Sequence, residues 1–251
     1  MPAAAGIAEA AERLAEWLVR TREAGRPAVV LTGAGASTES GLPDFRSAGG
    51  LWREVPEKLA SVETLLDDPD AFYDFYDRRL KGLRGARPNR VHEVLARWET
   101  EGWIQAVLTQ NVDGLHQAAG SRNVVELHGS LSRVRCHVCG RLYPPEALEE
   151  RRCPACGGPL RPDIVLFGEF LPEEAWRSAE AWTEAAHLFL VVGSSLTVYP
   201  VAGLPERHAR RGRPLVIVNR DPTPLDDRAA LVVRETAGEV LAAADRILQS
   251  R

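Results

Sequence analysis

Cysteine is scarce in this chain and methionine almost absent: 251 residues contain four cysteines, one methionine and only 6% aromatic residues. All four cysteines, Cys136, Cys139, Cys153 and Cys156, fall in one window of 21 residues. Secreted disulfide scaffolds spread more cysteines through shorter chains, so this usage excludes that class. No uncharged apolar run approaches the ~20 residues that span a bilayer. Glu9, Glu12, Arg13 and Glu16 interrupt the stretch where a secretory leader would be apolar. Neither charge is in excess: 31 basic residues against 35 acidic give a net −4. A strongly basic nucleic-acid footprint is therefore excluded. Internal repeats and low-complexity tails are also lacking. What remains is a chain long enough to bury a substantial core, as one large domain or a main domain with inserts. A cytoplasmic, monomeric protein with neither membrane nor nucleic-acid partners is the expectation.

The apolar residues that are present fall into short runs. Ala28–Leu31, Ile104–Leu108, Leu188–Val192 and Leu215–Val218 read as buried parallel strands, and Val124–Leu127 and Ala230–Val233 extend the set. Helical patterns separate them over Arg90–Glu101, Glu173–Ala185 and Val201–Arg211. An amphipathic helix over residues 4–24 precedes them and a helix over Gly238–Leu248 closes the chain. Strand and helix in alternation predict an α/β fold, a Rossmann-like doubly wound parallel sheet. Two regions break the alternation. Residues 47–88 are rich in Gly, Pro, Asp and aromatics around one helix, Pro69–Leu80, and read as a cofactor-covering loop with a helical insert. Residues 131–161 hold the cysteines and read as a metal-stapled insert too small to bury much apolar surface without its ion.

Gly33 and Gly35 follow the first strand, where a strand-to-helix turn lets backbone approach a pyrophosphate at a helix N-terminus. The dehydrogenase pattern then fails. Thr38 occupies the third glycine position, and Arg53, about twenty residues on, replaces the acidic ribose ligand. The turn reads as nucleotide-binding without hydride transfer.

Cys136-x-x-Cys139 and Cys153-x-x-Cys156 form two knuckles thirteen residues apart. Four thiolates in this pattern make a tetrahedral Zn²⁺ site with no position for water, hence structural. Disulfides or a redox pair are the competing reading. Six arginines nearby, Arg133, Arg135, Arg141, Arg151, Arg152 and Arg161, could offset the thiolate charge or simply be solvated. Polar residues also cluster at strand ends: Thr109-Gln-Asn-Val-Asp113, His128-Gly129, Gly193-Ser-Ser195 and Asn219-Arg-Asp221. Ligands bind at the carboxyl ends of parallel strands. Read alone, each segment is equally a cap or turn, with Asn111 or Asp113 capping a helix over Val112–Ala118. His128 suits a general base near pH 7. His92, His116, His187 and His208 carry no assigned chemistry.

Together with Ser40-Gly-Leu-Pro-Asp-Phe-Arg46 and Arg161-Pro-Asp-Ile-Val-Leu-Phe-Gly-Glu169, these segments resemble, in order, the sirtuins, NAD-dependent protein lysine deacylases. Leu42 and Val112 stand where isoleucine is commoner. The resemblance implies a single catalytic domain over residues 1–251. NAD, the co-substrate, would lie between the Rossmann-like part and the smaller part made by the two inserts. Gly33, Ala34, Gly35, Ser37, Thr38, Asp44, Phe45 and Arg46 would meet its phosphate and nicotinamide side. Gln110 would hold the ribose, Val112 and Asp113 the carboxamide, and Gly193, Ser194, Ser195 and Asn219 the adenosine. His128 would be the base, with Asn111 and Asp44 organising the site. Acyl-lysine of a protein partner would pass Val165 and Phe167, its backbone adding as a strand beside Gly168-Glu169 and Leu196–Val198. Members preferring succinyl or malonyl groups carry Tyr-x-x-Arg in the helical insert. Tyr73 as the tyrosine puts Tyr76 in the arginine place and implies deacetylation; Tyr76 would bring in Arg79. Spacing to Pro88-Asn89 favours Tyr73. A mono-ADP-ribosyltransferase and a non-enzymatic ADP-ribose sensor are the rival readings.

Overall fold

The computed structural model describes residues 6–250. In chain order it contains α1 (Ile7–Glu23), β1 (Ala28–Thr32), α2 (Leu51–Glu54), α3 (Val62–Asp67), α4 (Pro69–Leu83), α5 (Arg90–Thr100), β2 (Ala106–Thr109), α6 (Leu115–Ala118) and β3 (Val124–Glu126). There follow β4 (Gly129–Cys136), β5 (Leu142–Tyr143), β6 (Leu160–Ile164), α7 (Glu173–Ala185), β7 (Leu188–Val192), α8 (Gly203–Arg210), β8 (Leu215–Val218), β9 (Leu231–Val233) and α9 (Ala237–Gln249). No helix among the described residues is long and apolar enough to cross a membrane.

Six parallel strands form one sheet in the order β3-β2-β1-β7-β8-β9. Every residue of β1, β2, β7 and β8 is buried, as a sheet covered on both faces requires. Alternate residues serve opposite layers. Ala28 and Val30 join α1, α5 and α9, whereas Val29 and Leu31 join α7 and α8. The α1 stripe Ala10, Leu14 and Leu18 drives its docking on this sheet. Asp245, on α9, accepts from Trp98 Nε1 at 3.0 Å and pairs with Arg97 at 2.6 Å, which ties α9 to α5. The chain builds outward from β1 to β3, then returns to place β7 on the other side of β1. That reversal is the switch point at which such sheets bind ligands.

Before the return, β4, β5 and β6 form an antiparallel sheet in the order β5-β4-β6. Its face packs on α3 and α4: Leu131, Val134 and Leu160 meet Leu65, Phe72 and Phe75 in a third core. Tyr73 locks the contact, donating to Leu160 O at 2.8 Å and Arg151 O at 3.2 Å. The four cysteine sulfurs beyond this sheet all lie within 4.8 Å of one another. Cys136 and Cys156 are 3.4 Å apart, Cys139 and Cys153 3.8 Å. Zn–S bonds of about 2.3 Å in a tetrahedron need sulfurs roughly 3.8 Å apart, so the set fits Zn²⁺ closed to water. Tyr143 adds a hydroxyl 3.1 Å from Cys153 Sγ, where it can donate to a thiolate.

Several expectations shift. Residues 4 and 5 of the predicted first helix lie outside the described residues; the helix starts at Ile7. The helix expected over Pro69–Leu80 continues to Leu83. No α-helix follows the glycine turn: Ala34–Ser40 is a 3₁₀ segment, ended by Gly41 at φ +81°. Its hydroxyls compete with the helical ladder, and Thr38 donates to Gly35 O at 3.0 Å. The helix expected from Val112 starts at Leu115, because Gly114 turns the chain at φ +72° and Asp113 accepts from Leu115 N at 3.0 Å. Ile104 is buried but lies outside β2, its N–H bonded to Trp98 O. Four of the six arginines around the knuckles are paired with carboxylates. Arg133 and Arg135 pair with Asp163, Arg151 with Asp70 and Arg161 with Glu169.

Two outcomes follow from these contacts. Purified protein should carry zinc equimolar with chain, and chelation should open the loop at Arg141, Arg151 and Arg152 to trypsin while the parallel sheet stays folded. Unchanged digestion after verified zinc loss would contradict a structural ion. Gly193→Ala should lower stability by about 2–4 kcal/mol in urea unfolding, because it combines a positive φ with a backbone clash. A loss below about 1 kcal/mol would mean the loops yield more easily than packed backbone should.

Candidate active site

The carboxyl ends of β1 and β7 meet backbone to backbone. A methyl group on Gly33 would lie 2.7 Å from Gly193 O, and one on Gly35 2.8 Å from Gly193 Cα. On Gly193, at φ +62°, it would lie 2.3 Å from Ala36 N. Gly35 N donates to Gly193 O at 2.9 Å. Contact with Gly193 thus gives Gly33 and Gly35 a second reason to be glycine, beside the close backbone approach to a ligand expected at this turn.

A buried polar web grows from this knot. Asn111, beyond β2, donates through Nδ2 to Gly33 O and to Ser37 Oγ, both at 3.0 Å. Ser37 Oγ donates to Asp113 Oδ2 at 2.7 Å. Gln110 Nε2 donates to Ser194 Oγ at 2.8 Å, bridging β2 and β7. Beneath lie two fully enclosed histidines with rings 4.8 Å apart. His116 Nε2 is 2.9 Å from Thr32 Oγ1, and His92 Nε2 is 3.4 Å from Ser37 Oγ. Burial lowers the His92 pKa to about 4, partly offset by Asp113. Burial, reinforced by His92, lowers that of His116 to about 3. Both rings are neutral at pH 7.

His128 stands beyond β3. Its Nδ1 lies 3.0 Å from Gln110 O. A carbonyl only accepts, so Nδ1 carries the proton and Nε2 keeps a free lone pair. Burial holds this pKa below the usual histidine value, against the raising effect of the Gln110 contact. Gly129 then turns the chain into β4 at φ +76°, where a methyl would strike Asp163 O at 2.2 Å.

With His92, His116 and Gly129 behind its wall, most of these residues line one cavity of about 1710 Å³. That exceeds the ~300–1,000 Å³ of a typical ligand pocket, leaving room for two reactants. Along its wall run Gly33, Ala34, Gly35, Ser37, Thr38, Asp44, Phe45 and Arg46. Gln110, Asn111, Val112, Asp113 and His128 line the middle, and Gly193, Ser194, Ser195 and Asn219 complete the sheet edge. Val165, Phe167, Gly168 and Tyr76 line it from the smaller part. Asp44 makes a turn, accepting from Ser47 N at 2.9 Å and Arg46 N at 3.2 Å. Phe45 packs on Trp52 at 5.2 Å, and Trp52 on Phe75 and Phe167 at 6.1 Å each. Glu169 fixes the Val165–Gly168 loop. It accepts from Leu166 N at 2.9 Å and Arg135 at 3.1 Å, and pairs with the fully buried Arg161.

Tyr73 is the exception: its hydroxyl is committed to the smaller sheet, and it does not line the cavity. Tyr76 and Arg79 do, with Arg79 stacked 5.0 Å over Phe45. Sequence reasoning missed Trp52, Arg220, the Glu235–Ala237 loop and His92. The position of Glu235 just past the last strand was an available signal. Nothing in sequence marked Trp52 or His92.

The Sir2 family profile matches residues 33–200. The chain is 46% identical over 241 residues to an NAD-dependent protein deacetylase of Halalkalibacterium halodurans, covering 94% of this chain and all of that one. It is 49% identical over 210 residues to another from Oceanobacillus iheyensis, covering 82% and 89% respectively. A Sir2 structure with a p53 peptide and NAD⁺ superposes with a TM-score of 0.84 at 38% identity, over 95% of this chain and 97% of that one. One with a deacetylated p53 peptide and 3′-O-acetyl ADP-ribose reaches 0.87 at 38% identity with the same coverage. With two thirds of its length under the family profile and relatives matched almost end to end, this chain belongs to the Sir2 family, the sirtuins.

Proposed function

We infer that this chain is an NAD-dependent protein deacetylase, consuming NAD as a co-substrate and acting on acetylated lysine side chains. The single observation that carries the chemistry is His128: an imidazole with a free Nε2, in the cavity wall beside Gln110, Asn111 and Asp113. The cavity residues fit NAD by their chemistry. Asp113 and the Val112 backbone suit a carboxamide, Gln110 a ribose, and Ser194, Ser195 and Asn219 an adenosine. When bound, NAD supplies an anomeric carbon with a cationic leaving group. The residues of this chain do the rest. Asn111 and Asp44 hold the loops, the Phe45–Trp52–Phe167 aromatics exclude water, and His128 takes a proton from a ribose hydroxyl. With one water admitted after the acyl transfer, acetyl-lysine and NAD give free lysine, nicotinamide and O-acetyl-ADP-ribose. The acyl C–N and glycosidic C–N bonds break, the acetyl group passes to the ribose oxygen, and the water supplies the remaining oxygen and protons. The peptide adds as a strand beside Gly168-Glu169 and Leu196–Val198. Four thiolates held for zinc suit a reducing, cytoplasmic setting.

His128→Ala should nearly abolish deacetylation while NAD still binds in calorimetry. The pH profile gives a sharper check. The neutral ring is the active form and its pKa is depressed, so kcat/KM for acetyl-peptide should hold constant down past the ordinary histidine pKa of about 6.5. It should fall only as pH drops through the lower value. An acid limb above about 6.5 would remove His128 as the base.

One observation favours a second reading. With Tyr73 committed elsewhere, the residues free to meet an acyl group are Tyr76 and Arg79, the pair matching the acidic-acyl pattern. Turnover of acetyl-, succinyl- and longer acyl-lysine peptides, read by mass spectrometry, decides between them. For a deacetylase, Arg79→Ala should leave acetyl-lysine turnover within about twofold, the range of a peripheral contact. Wild-type turnover of succinyl-lysine, lost selectively in that variant, would establish the second reading.

A further inference from the structure

His92 opens α5, and its two ring nitrogens face two different structures. Asn89 caps the helix, its Oδ1 accepting from Val91 N at 2.9 Å. Asn89 N donates in return to His92 Nδ1 at 3.2 Å. This return bond is the one glutamate or glutamine ordinarily provides at the third helical position. Because Nδ1 accepts a backbone N–H, it carries no proton, and the neutral ring bears its proton on Nε2. That nitrogen lies 3.4 Å from Ser37 Oγ, a long bond but directed at a hydroxyl in the floor of the cleft. His116 does not compete for Ser37, since its Nε2 is engaged by Thr32.

The valence of Ser37 gives this contact a consequence. A serine hydroxyl has one proton and two lone pairs. Asn111 Nδ2 donates to one lone pair at 3.0 Å, and His92 Nε2–H meets the other. The hydroxyl proton is then left a single partner, Asp113 Oδ2, at 2.7 Å. Asp113 Oδ1 is held in turn by Leu115 N. Asn89 also donates through Nδ2 to Ala36 O at 2.9 Å, which fastens the start of α5 to the loop that bears Ser37.

We propose that His92 is a positioning residue for NAD: through Ser37 it orients the Asp113 carboxylate that receives the carboxamide. It rests on the assignment of Asp113 under the deacetylase reading. Helix capping and orientation separate in one variant. His92→Gln keeps an acceptor for Asn89 N in Oε1, but replaces the Nε2–H that the ring holds rigidly toward Ser37 by an amide N–H on a flexible chain pinned at the cap. Its thermal midpoint should match wild type. Its KM for NAD should rise about three- to tenfold, the size of one weakened hydrogen bond, with KM for acetyl-peptide unchanged. Ser37→Ala should show the same split, and the double variant should bind NAD no worse than Ser37→Ala alone, since the two act in series. Direct NAD titration of the four proteins reads this coupling without turnover. Imidazole ¹⁵N shifts should report Nε2–H for His92 at pH 7. Additive losses, an unchanged NAD affinity in His92→Gln, or an Nδ1–H tautomer would overturn the proposal. A wild type that binds NAD but leaves acetyl-peptide intact would overturn the deacetylase reading instead, with the titration still deciding the role of His92.

Discussion

Everything at the cleft floor depends on one close approach, the contact of Gly33 and Gly35 with Gly193 where β1 and β7 end. These two strands are neighbours only because the chain reverses direction after β3 and re-enters the sheet beside β1. With side chains at these three positions the strand ends would be forced apart by backbone clashes at 2.3–2.8 Å. With glycine, Gly35 N bonds Gly193 O and Gly33 O is left pointing at Asn111. The orientation of Asn111, the bonding of Ser37 and the aim of Asp113 all follow from where that carbonyl sits.

The same geometry creates an electrostatic constraint. The web beneath the cleft is enclosed by two helices and the sheet, so an unpaired charge there would meet a large desolvation cost. Neutral histidines meet the constraint: each offers one donor and one acceptor without charge. Burial lowers the pKa of His92 to about 4 and of His116 to about 3, and holds that of His128 below the usual histidine value. For His128 this is also a chemical property, since a base must be unprotonated to act. The smaller sheet solves a different problem. Its core is small, and it is braced twice at the same end, by zinc-spaced thiols and by the Tyr73 bonds to Leu160 O, opposite Cys136, and to Arg151 O.

Much of this was legible from residue pattern. The apolar runs of β1, β7 and β8 are continuous because both faces are covered, and such runs are hard to mistake. The paired Cys-x-x-Cys knuckles carry their own geometry. His128, Gln110 and Ser194 were visible because strand ends in a parallel sheet all open on the same edge. Local chemistry failed where two interactions compete over a few residues. The Gly33 turn was expected to start an α-helix, but Ser and Thr hydroxyls tighten it to 3₁₀. The arginines near the knuckles left two roles open, offsetting the thiolates or simple solvation, and carboxylates on β6 and its following loop claim three of them, Arg133, Arg135 and Arg161.

Sequence alone determined the strand-and-helix alternation, the metal knuckles, the family and the polar residues at the sheet edge. The alternation, the knuckles and the sheet-edge residues are encoded by periodicity or short spacing within a segment; the family follows from the resemblance of several such motifs taken in order along the chain. Tertiary structure decided which tyrosine faces the cavity, since Tyr73 and Tyr76 lie on one helix and only docking against β6 distinguishes them. It also decided that Trp52 belongs to the aromatic wall and that His92 reaches Ser37, 55 residues away. Such contacts arise between distant segments brought together by burial, and no local pattern of residues records them.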